Sequence, residues 1–336
     1  MSHLANKRIC KAYLDGLAHP GEHADAVHAF FAPDAIIHHS HPFNDLAGPE
    51  AYLDSFLLPL AQAFEGLYRR DYILTGGHFE GADWVTCTGY YVGHFAEPWL
   101  GITPTGTLSY LRVGEFHRME QGRAVETWIY LDIPELMIAV REWPIKDSPG
   151  KDRGYTGPHR GPATQNGFQL HDNDPARSDS SAALVTDMLR ALPTEDQAWR
   201  PYWHDNMVWY GPAAFGSFLG LENFASFQVP FENAFSHWSG GAAGNGVTQH
   251  LTRAADGDYI WSAGWPSLMC VRKDAFLDQP PSTDTLLMRV CDWWRREGDL
   301  LVENWVFVDI PDVLLQMGVD LFPGQHDMSP GPRITA

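Results

Sequence analysis

Positive charge is scarce in this 336-residue chain: 23 lysines and arginines stand against 42 aspartates and glutamates, a net charge of −19. A surface of that sign repels phosphate backbones and anionic headgroups, so neither nucleic acid nor a membrane is expected as a partner. Long apolar runs are missing too. None approaches the roughly 18 residues that a bilayer span needs, and Met1-Ser2-His3-Leu4-Ala5-Asn6-Lys7-Arg8 leads into no apolar stretch of the secretory-signal kind. Only four cysteines occur (Cys10, Cys87, Cys270, Cys291), with no Cys-x-x-Cys pair among them. Buried thiols in a reducing cytosol are expected rather than a disulfide framework. A nucleophile elbow, a phosphate loop and a dinucleotide fingerprint are also absent. The expectation is a soluble, cytoplasmic protein.

What is present is a repeat. Val125-Glu126-Thr127-Trp128-Ile129-Tyr130-Leu131-Asp132-Ile133-Pro134 returns 177 residues later as Val302-Glu303-Asn304-Trp305-Val306-Phe307-Val308-Asp309-Ile310-Pro311, with six of ten positions identical. The segment before it returns as well: Leu111-Arg112-Val113-Gly114-Glu115-Phe116-His117-Arg118 becomes Met288-Arg289-Val290-Cys291-Asp292-Trp293-Trp294-Arg295. So long a period means a duplicated domain rather than a solenoid, whose repeats run to about 20–50 residues. The length prior of roughly 150 residues per domain agrees. Apolar content of 44% against 19% charged suffices for two cores.

Residues 4–17 and 23–32 read as helices broken at His19-Pro20-Gly21, with counterparts at about 180–192 and 195–204; Thr194-Glu195-Asp196-Gln197 has capping-box spacing. Short strands follow at Ala35–His39 and Asn206–Tyr210, then helices from Gly48-Pro49-Glu50 and Gly220-Leu221-Glu222. Phe235-Ser236-His237-Trp238 reads as the end of the second of these. Strands at Asp83–His94 and Asp258–Met269 precede the repeated pair, which turns at Gly122 and at Gly298-Asp299. The expected domains are 1–143 and 179–325, with a Gly/Pro-rich linker at 144–178 and a tail at 326–336. The fold class is α+β: in each domain, helices cover one face of a bent antiparallel sheet and leave room for a pocket.

Period two sorts the last strand into faces. Val125, Thr127, Ile129 and Leu131 form an aliphatic face expected on the helices, matched by Val302, Val306 and Val308 with Asn304 as the polar exception. The other face carries Glu126, Trp128, Tyr130 and Asp132, and again Glu303, Trp305, Phe307 and Asp309. A carboxylate walled by rings is desolvated, so its pKa rises toward neutrality and it can act as base or acid. Two structural alternatives stand beside this. Arg112, Arg118, Arg289 and Arg295 on the neighbouring strand can neutralise the glutamates, and an aspartate before Ile-Pro suits a turn.

Arg112-Val113, Glu115-Phe116, Arg118, Gly122, Glu126, Trp128 and Asp132, with their second-copy equivalents and Leu314-Leu315-Gln316-Met317-Gly318, together resemble the SnoaL-like polyketide cyclases. So does the turn Thr103-Pro104-Thr105-Gly106, from which Pro281-Ser282-Thr283-Asp284 departs. The resemblance covers both halves. It implies the nuclear transport factor two-like fold, a cone of curved antiparallel sheet wrapped by about three helices around a deep pocket. It also implies an aspartate near the end of the last strand, Asp309 or Asp132, acting on an enolisable ketide without metal or cofactor. Members of that family are usually single-domain homodimers, so a tandem chain is expected to form an internal pseudo-dimer, with a further homodimer left open.

The two halves have diverged. His38-His39-Ser40-His41-Pro42 is replaced by Trp209-Tyr210-Gly211-Pro212-Ala213, and the second half concentrates the tryptophans. His39 and His41 have a spacing that suits a metal, but no third ligand is well placed, so none is expected. The expected catalytic residues are therefore Asp309, Asp132, His39, His41 and His237. Trp209, Tyr210, Trp265, Trp293, Trp305, Glu303, Glu126, Trp128 and Tyr90 are expected to touch a small hydrophobic or aromatic ligand. Asp309, in the more aromatic half, is expected to be the drier base. Ser239-Gly240-Gly241-Ala242-Ala243-Gly244-Asn245-Gly246 reads as a lid or a plain loop. The functional expectation is a cofactor-independent acid/base enzyme of the cyclase or isomerase kind. The alternatives are a non-catalytic binding module, and a dehydratase or hydrolase of the same fold.

Overall fold

Two helices open the chain, α1 (His3–Leu17) and α2 (His23–Phe30), separated at His19-Pro20-Gly21 where Gly21 takes a positive φ of 93°. Then come β1 (Phe31–His39) and β2 (Asn44–Ala47). A helix follows in three pieces: α3 (Gly48–Tyr52), a π turn (Leu53–Leu57) and α4 (Leu58–Ala63). Four long strands complete the sheet, β3 (Phe64–Phe79), β4 (Ala82–Phe95), β5 (Leu108–Glu120) and β6 (Arg123–Leu131), and α5 (Ile133–Ala139) closes the repeat. The strand order is β2-β1-β6-β5-β4-β3. Neighbours are antiparallel except β1 and β6, so the sheet is mixed rather than purely antiparallel. The 16-residue β3 is not foreseen by sequence pattern, because Arg69-Arg70-Asp71 and Gly76-Gly77 break its alternation.

The computed structural model describes residues 3–145, 161–192, 197–240 and 252–325, which fall into two units. The linker is not a free tether. Residues 161–172 belong to the first unit, where the Leu74 amide donates to Gly167 O (3.0 Å) and the Gln169 amide to Leu74 O (2.9 Å). Residues 320–325 also belong there, with Phe322 buried in its core. Lys146-Asp147-Ser148-Pro149-Gly150, Thr194-Glu195-Asp196, the loop from Gly241 to Gly246 and the 326–336 tail lie outside the described residues.

The second unit begins with α6 (Pro175–Ala191), capped by Asp174, whose side chain accepts from the Ala176 amide at 3.0 Å. The helix expected at 195–204 is, among the described residues, only a 3₁₀ turn at Arg200–Tyr202. Next are β7 (Trp203–Tyr210), β8 (Ser217–Leu219), α7 (Leu221–Asn233), β9 (Phe235–Gly240), β10 (Thr252–Asp256) and β11 (Tyr259–Ala263). The unit ends with β12 (Leu268–Arg272), β13 (Thr285–Met288), β14 (Val290–Glu297), β15 (Leu300–Val308) and α8 (Ile310–Gln316). Phe235-Ser236-His237-Trp238 is strand rather than helix end, since α7 stops at Asn233.

The stretch Asp258–Met269 is not one strand either. Gly264-Trp265-Pro266 splits it, because Pro266 has no N–H for a ladder and a Cβ at Gly264 would meet Ser267 Cα at 2.7 Å. The second unit therefore has two sheets, β10-β11-β14-β15-β7-β8 and β13-β12-β9. Its closing hairpin nevertheless matches that of the first unit. Trp293 pairs with Trp305 as Phe116 pairs with Trp128, and the Asp309 and Asp132 amides donate to Arg289 O and Arg112 O, each at 3.0 Å. Among the described residues, no helix is long and apolar enough to cross a membrane.

Candidate active site

In α7, Phe224, Phe227, Gln228, Phe231 and Glu232 recur at i, i+3, i+4, i+7 and i+8, so they share one helical face. That face lies over the sheet positions Val290, Asp292 and Trp294 of β14, and Asn304, Val306 and Val308 of β15. Strand alternation puts those six side chains on the same side. Met188 and Leu189 of α6, Trp203 and Trp209 of β7, Phe215, and Leu268 and Met288 also line this cavity of about 110 Å³. An engineered apolar cavity of about 150 Å³ takes up benzene, so there is room for a ligand about one ring in size.

Two carboxyls face this apolar space. Asp292 is buried on the sheet, and burial pushes its pKa up to about 7, opposed only in part by the Asn304 side chain, whose Nδ2 donates to Asp292 Oδ1 at 3.0 Å. Asn304 Nδ2 also reaches Trp293 O at 3.0 Å, which fixes the amide in place. Glu232 on the helix is likewise raised to about 7 by burial, while Gln228 Nε2 donates to its Oε1 at 2.8 Å. Each carboxyl is raised by its own desolvation, so near neutrality both are divided between carboxylate and acid.

The same positions in the first unit are filled differently. Glu115 stands where Asp292 does, Thr127 where Asn304 does and His117 where Trp294 does. Glu115 is fully buried and receives Arg69 Nη1 at 2.6 Å; Arg69 also holds Asp71 at 2.8 Å. His117 Nε2 lies 3.2 Å from Glu115 Oε2, and its Nδ1 lies 3.0 Å from Thr127 Oγ1. Burial alone would raise Glu115, but Arg69 and His117 outweigh it and hold the carboxyl down at about 2. For His117, burial is outweighed by Cys87 and Glu115, and the imidazole is raised to about 9. Asp71 is pushed to about 6 by burial against the pull of Arg69.

Most residues expected to form a site lie elsewhere. Asp309 is fully buried, receives Arg289 Nη1 at 3.0 Å and caps α8 by accepting from the Asp312 amide at 3.4 Å. This is the turn role, not that of a base in the cavity. Asp132 holds the equivalent position before α5. Glu126 pairs with Arg118 (2.9 Å) and Glu303 with Arg295 (2.5 Å), the structural alternative for both glutamates. Trp305 stacks on Tyr210, whose hydroxyl donates to Glu303, and Trp293 meets Phe307 edge-on; all lie on the sheet face turned from the cavity. Trp128 packs on Trp84, Tyr90 lies between Tyr72 and Tyr110, and Trp265 stacks under Arg289.

Among the described residues that line the cavity there is no histidine. His39 is buried against Phe43 and Phe56, and burial lowers its pKa to about 3, so it is neutral. His41 is buried near Phe322. Both are in the first unit. His237 lies in β9, its side chain outside the described residues. Of the expected ligand contacts, Trp209 does line the cavity.

Sequence reasoning favoured the face where carboxylates stand beside rings; arginines on the adjacent strand pair with those carboxylates, and the cavity lies on the other face. Two signals pointed to the other face: Asn304 interrupting an aliphatic stripe, and Asp292 in phase with it one strand away.

No family model matches the chain, and no curated protein does. Several solved structures resemble part of it. A candidate SnoaL-like polyketide cyclase from Jannaschia sp. CCS1 is 20% identical over 42% of this chain and 94% of its own, with a TM-score of 0.36. A candidate polyketide cyclase from Xanthomonas campestris pv. campestris is 21% identical over 41% of this chain and 98% of its own (TM-score 0.34). An NTF2-like protein of unknown function from Burkholderia pseudomallei K96243 is 16% identical over 42% and 98% (TM-score 0.32).

Proposed function

We propose that the second unit binds a small, flat, largely apolar carbonyl compound and moves a proton on it, with Asp292 as the base. The observation that carries this reading is the pair of carboxyls, Asp292 and Glu232, both held near pKa 7 on opposite walls-forming elements of one apolar cavity. As carboxylate, Asp292 takes a proton from the carbon beside the carbonyl and becomes the acid; the bonding pair left behind forms the enolate. Glu232, as the acid, donates a hydrogen bond to the enolate oxygen and keeps its proton. Asp292 then returns its proton to carbon at the same or a neighbouring position, which makes exchange or isomerisation the simplest outcome. A base with a pKa near the working pH combines adequate ionisation with adequate basicity. The surrounding rings lower the local dielectric and strengthen the electrostatic contacts.

The test is deuterium uptake. Cyclic ketones of one ring are incubated with the protein in D₂O, and loss of the α-proton signal is followed by NMR. Binding of a phenol, an enolate mimic, is read in parallel from quenching of Trp203, Trp209 and Trp294, which line the cavity. Protein-dependent exchange that falls on the order of 10²–10⁴-fold in Asp292→Asn, with phenol binding retained, supports the proposal. Binding without exchange in the unmodified protein replaces it with a non-catalytic binding module.

A further inference from the structure

The buried cluster in the first unit holds more ligating atoms than an ion-pair network needs. Cys10 comes from α1, Cys87 from β4, and Glu115 and His117 from β5, and all four are fully buried. The ligating atoms of Cys10, Cys87 and His117 lie within 4.8 Å of one another. Glu115 Oε2 lies outside that group but close to two of its members, 3.2 Å from His117 Nε2 and 3.6 Å from Cys87 Sγ, while Cys87 Sγ and His117 Nε2 are 3.9 Å apart. Zinc–ligand bonds of about 2.0–2.3 Å at tetrahedral angles put neighbouring ligand atoms about 3.3–3.8 Å apart. Three edges of such a tetrahedron already have about that length.

We propose that Cys10, Cys87 and His117 hold a zinc-class divalent cation, with Glu115 shifting toward Cys10 to become the fourth ligand, and that the ion staples α1 to the sheet of the first unit. The donor set, two sulfurs with one imidazole nitrogen and one carboxylate oxygen, suits a borderline-soft tetrahedral ion. The outer contacts are those a metal site needs. Thr127 Oγ1, 3.0 Å from His117 Nδ1, accepts from that nitrogen when Nε2 binds metal, and Arg69 holds the other oxygen of Glu115 at 2.6 Å. Two thiolates and a carboxylate sum to −3, offset by the dication and by Arg69, which Asp71 shares. Metal uptake releases three protons, two from the thiols and one from the imidazolium. Full burial with four protein ligands leaves no open position, so the role is structural. Spacing along the chain does not reveal the set, because its members come from three distant elements.

Metal content of the full-length protein, expressed with zinc and measured by elemental and native mass spectrometry, tests this directly. The expected result is one zinc per chain, lost in Cys87→Ser and retained in the control Cys270→Ser. Replacement by cobalt is expected to give a thiolate charge-transfer band and the intense visible bands of a tetrahedral ion. That readout on the unmodified protein decides the matter if Cys87→Ser does not fold. Metal-free protein that takes up neither zinc nor cobalt, zinc retained by a Cys10→Ser/Cys87→Ser double variant, or a Cys10–Cys87 disulfide in freshly purified protein overturns the proposal.

Discussion

Two aspartates in the second unit look alike in the sequence and differ entirely in surroundings. Asp292 is held near pKa 7 by burial, against about 3.9 for an unperturbed aspartate. The unfolded chain releases this proton above about pH 4, and the folded chain only above about pH 7. The stability this difference represents is therefore full below about pH 4, falls as pH rises, and is gone above about pH 7. Asp292→Asn keeps the acceptor that faces Asn304 and removes the titration. It is expected to unfold later than the parent at pH 8, by up to about 4 kcal/mol, with the gap closing by pH 4; denaturant titrations at the two pH values check this. Asp309 carries the opposite expectation. Asp309→Asn leaves Arg289 with a weaker partner and is expected to cost roughly 1–3 kcal/mol, while phenol affinity in the cavity stays unchanged. A variant that is stable but has lost binding would return Asp309 to the site.

At the level of elements, the first unit depends on a bend that the second unit makes by breaking its strands. In β3, Tyr72 is left unpaired between Asp71, opposite Gly89, and Ile73, opposite Thr88. A Cβ at Gly89 would stand 2.3 Å from Arg70 O and 2.5 Å from Asp71 Cα. The bulge lets β3 curve and places Arg69 beneath Glu115. Gly89→Ala is expected to destabilise the first unit by about 1–3 kcal/mol or more, seen as an earlier thermal transition, without changing phenol affinity in the second unit. An unshifted transition would mean that the bulge relaxes without cost. In the second unit, the break at Gly264-Trp265-Pro266 puts β12 and β13 in a separate sheet, from which Leu268 and Met288 reach the cavity.

For the whole molecule, the sheet positions that face the cavity in the second unit are filled in the first. Where Asp292, Trp294 and Asn304 face open space, Glu115, His117 and Thr127 bond to one another or to Arg69. One small aromatic ligand is therefore expected per chain, measurable by isothermal titration. Val306→Trp, which fills the cavity from β15, is expected to abolish that binding while the first unit melts as before. Two equivalent ligands per chain would contradict this division.

Hydrophobic periodicity and the repeat were enough to read the duplication, the α+β class and most elements, because helix and strand faces are local properties of the chain. The same alternation separated the two faces of β6 and β15 correctly, and the aliphatic face does pack toward the helices. Which face held a cavity was not a local property. It depended on arginines one strand away that neutralise Glu126 and Glu303, and on α7 standing off the sheet far enough to leave space above Asp292. Cys10, Cys87, Glu115 and His117 likewise meet only through the packing of α1 on β4 and β5. Burial and distance across elements decide a pKa and a ligand set, and those quantities exist only once the chain has folded.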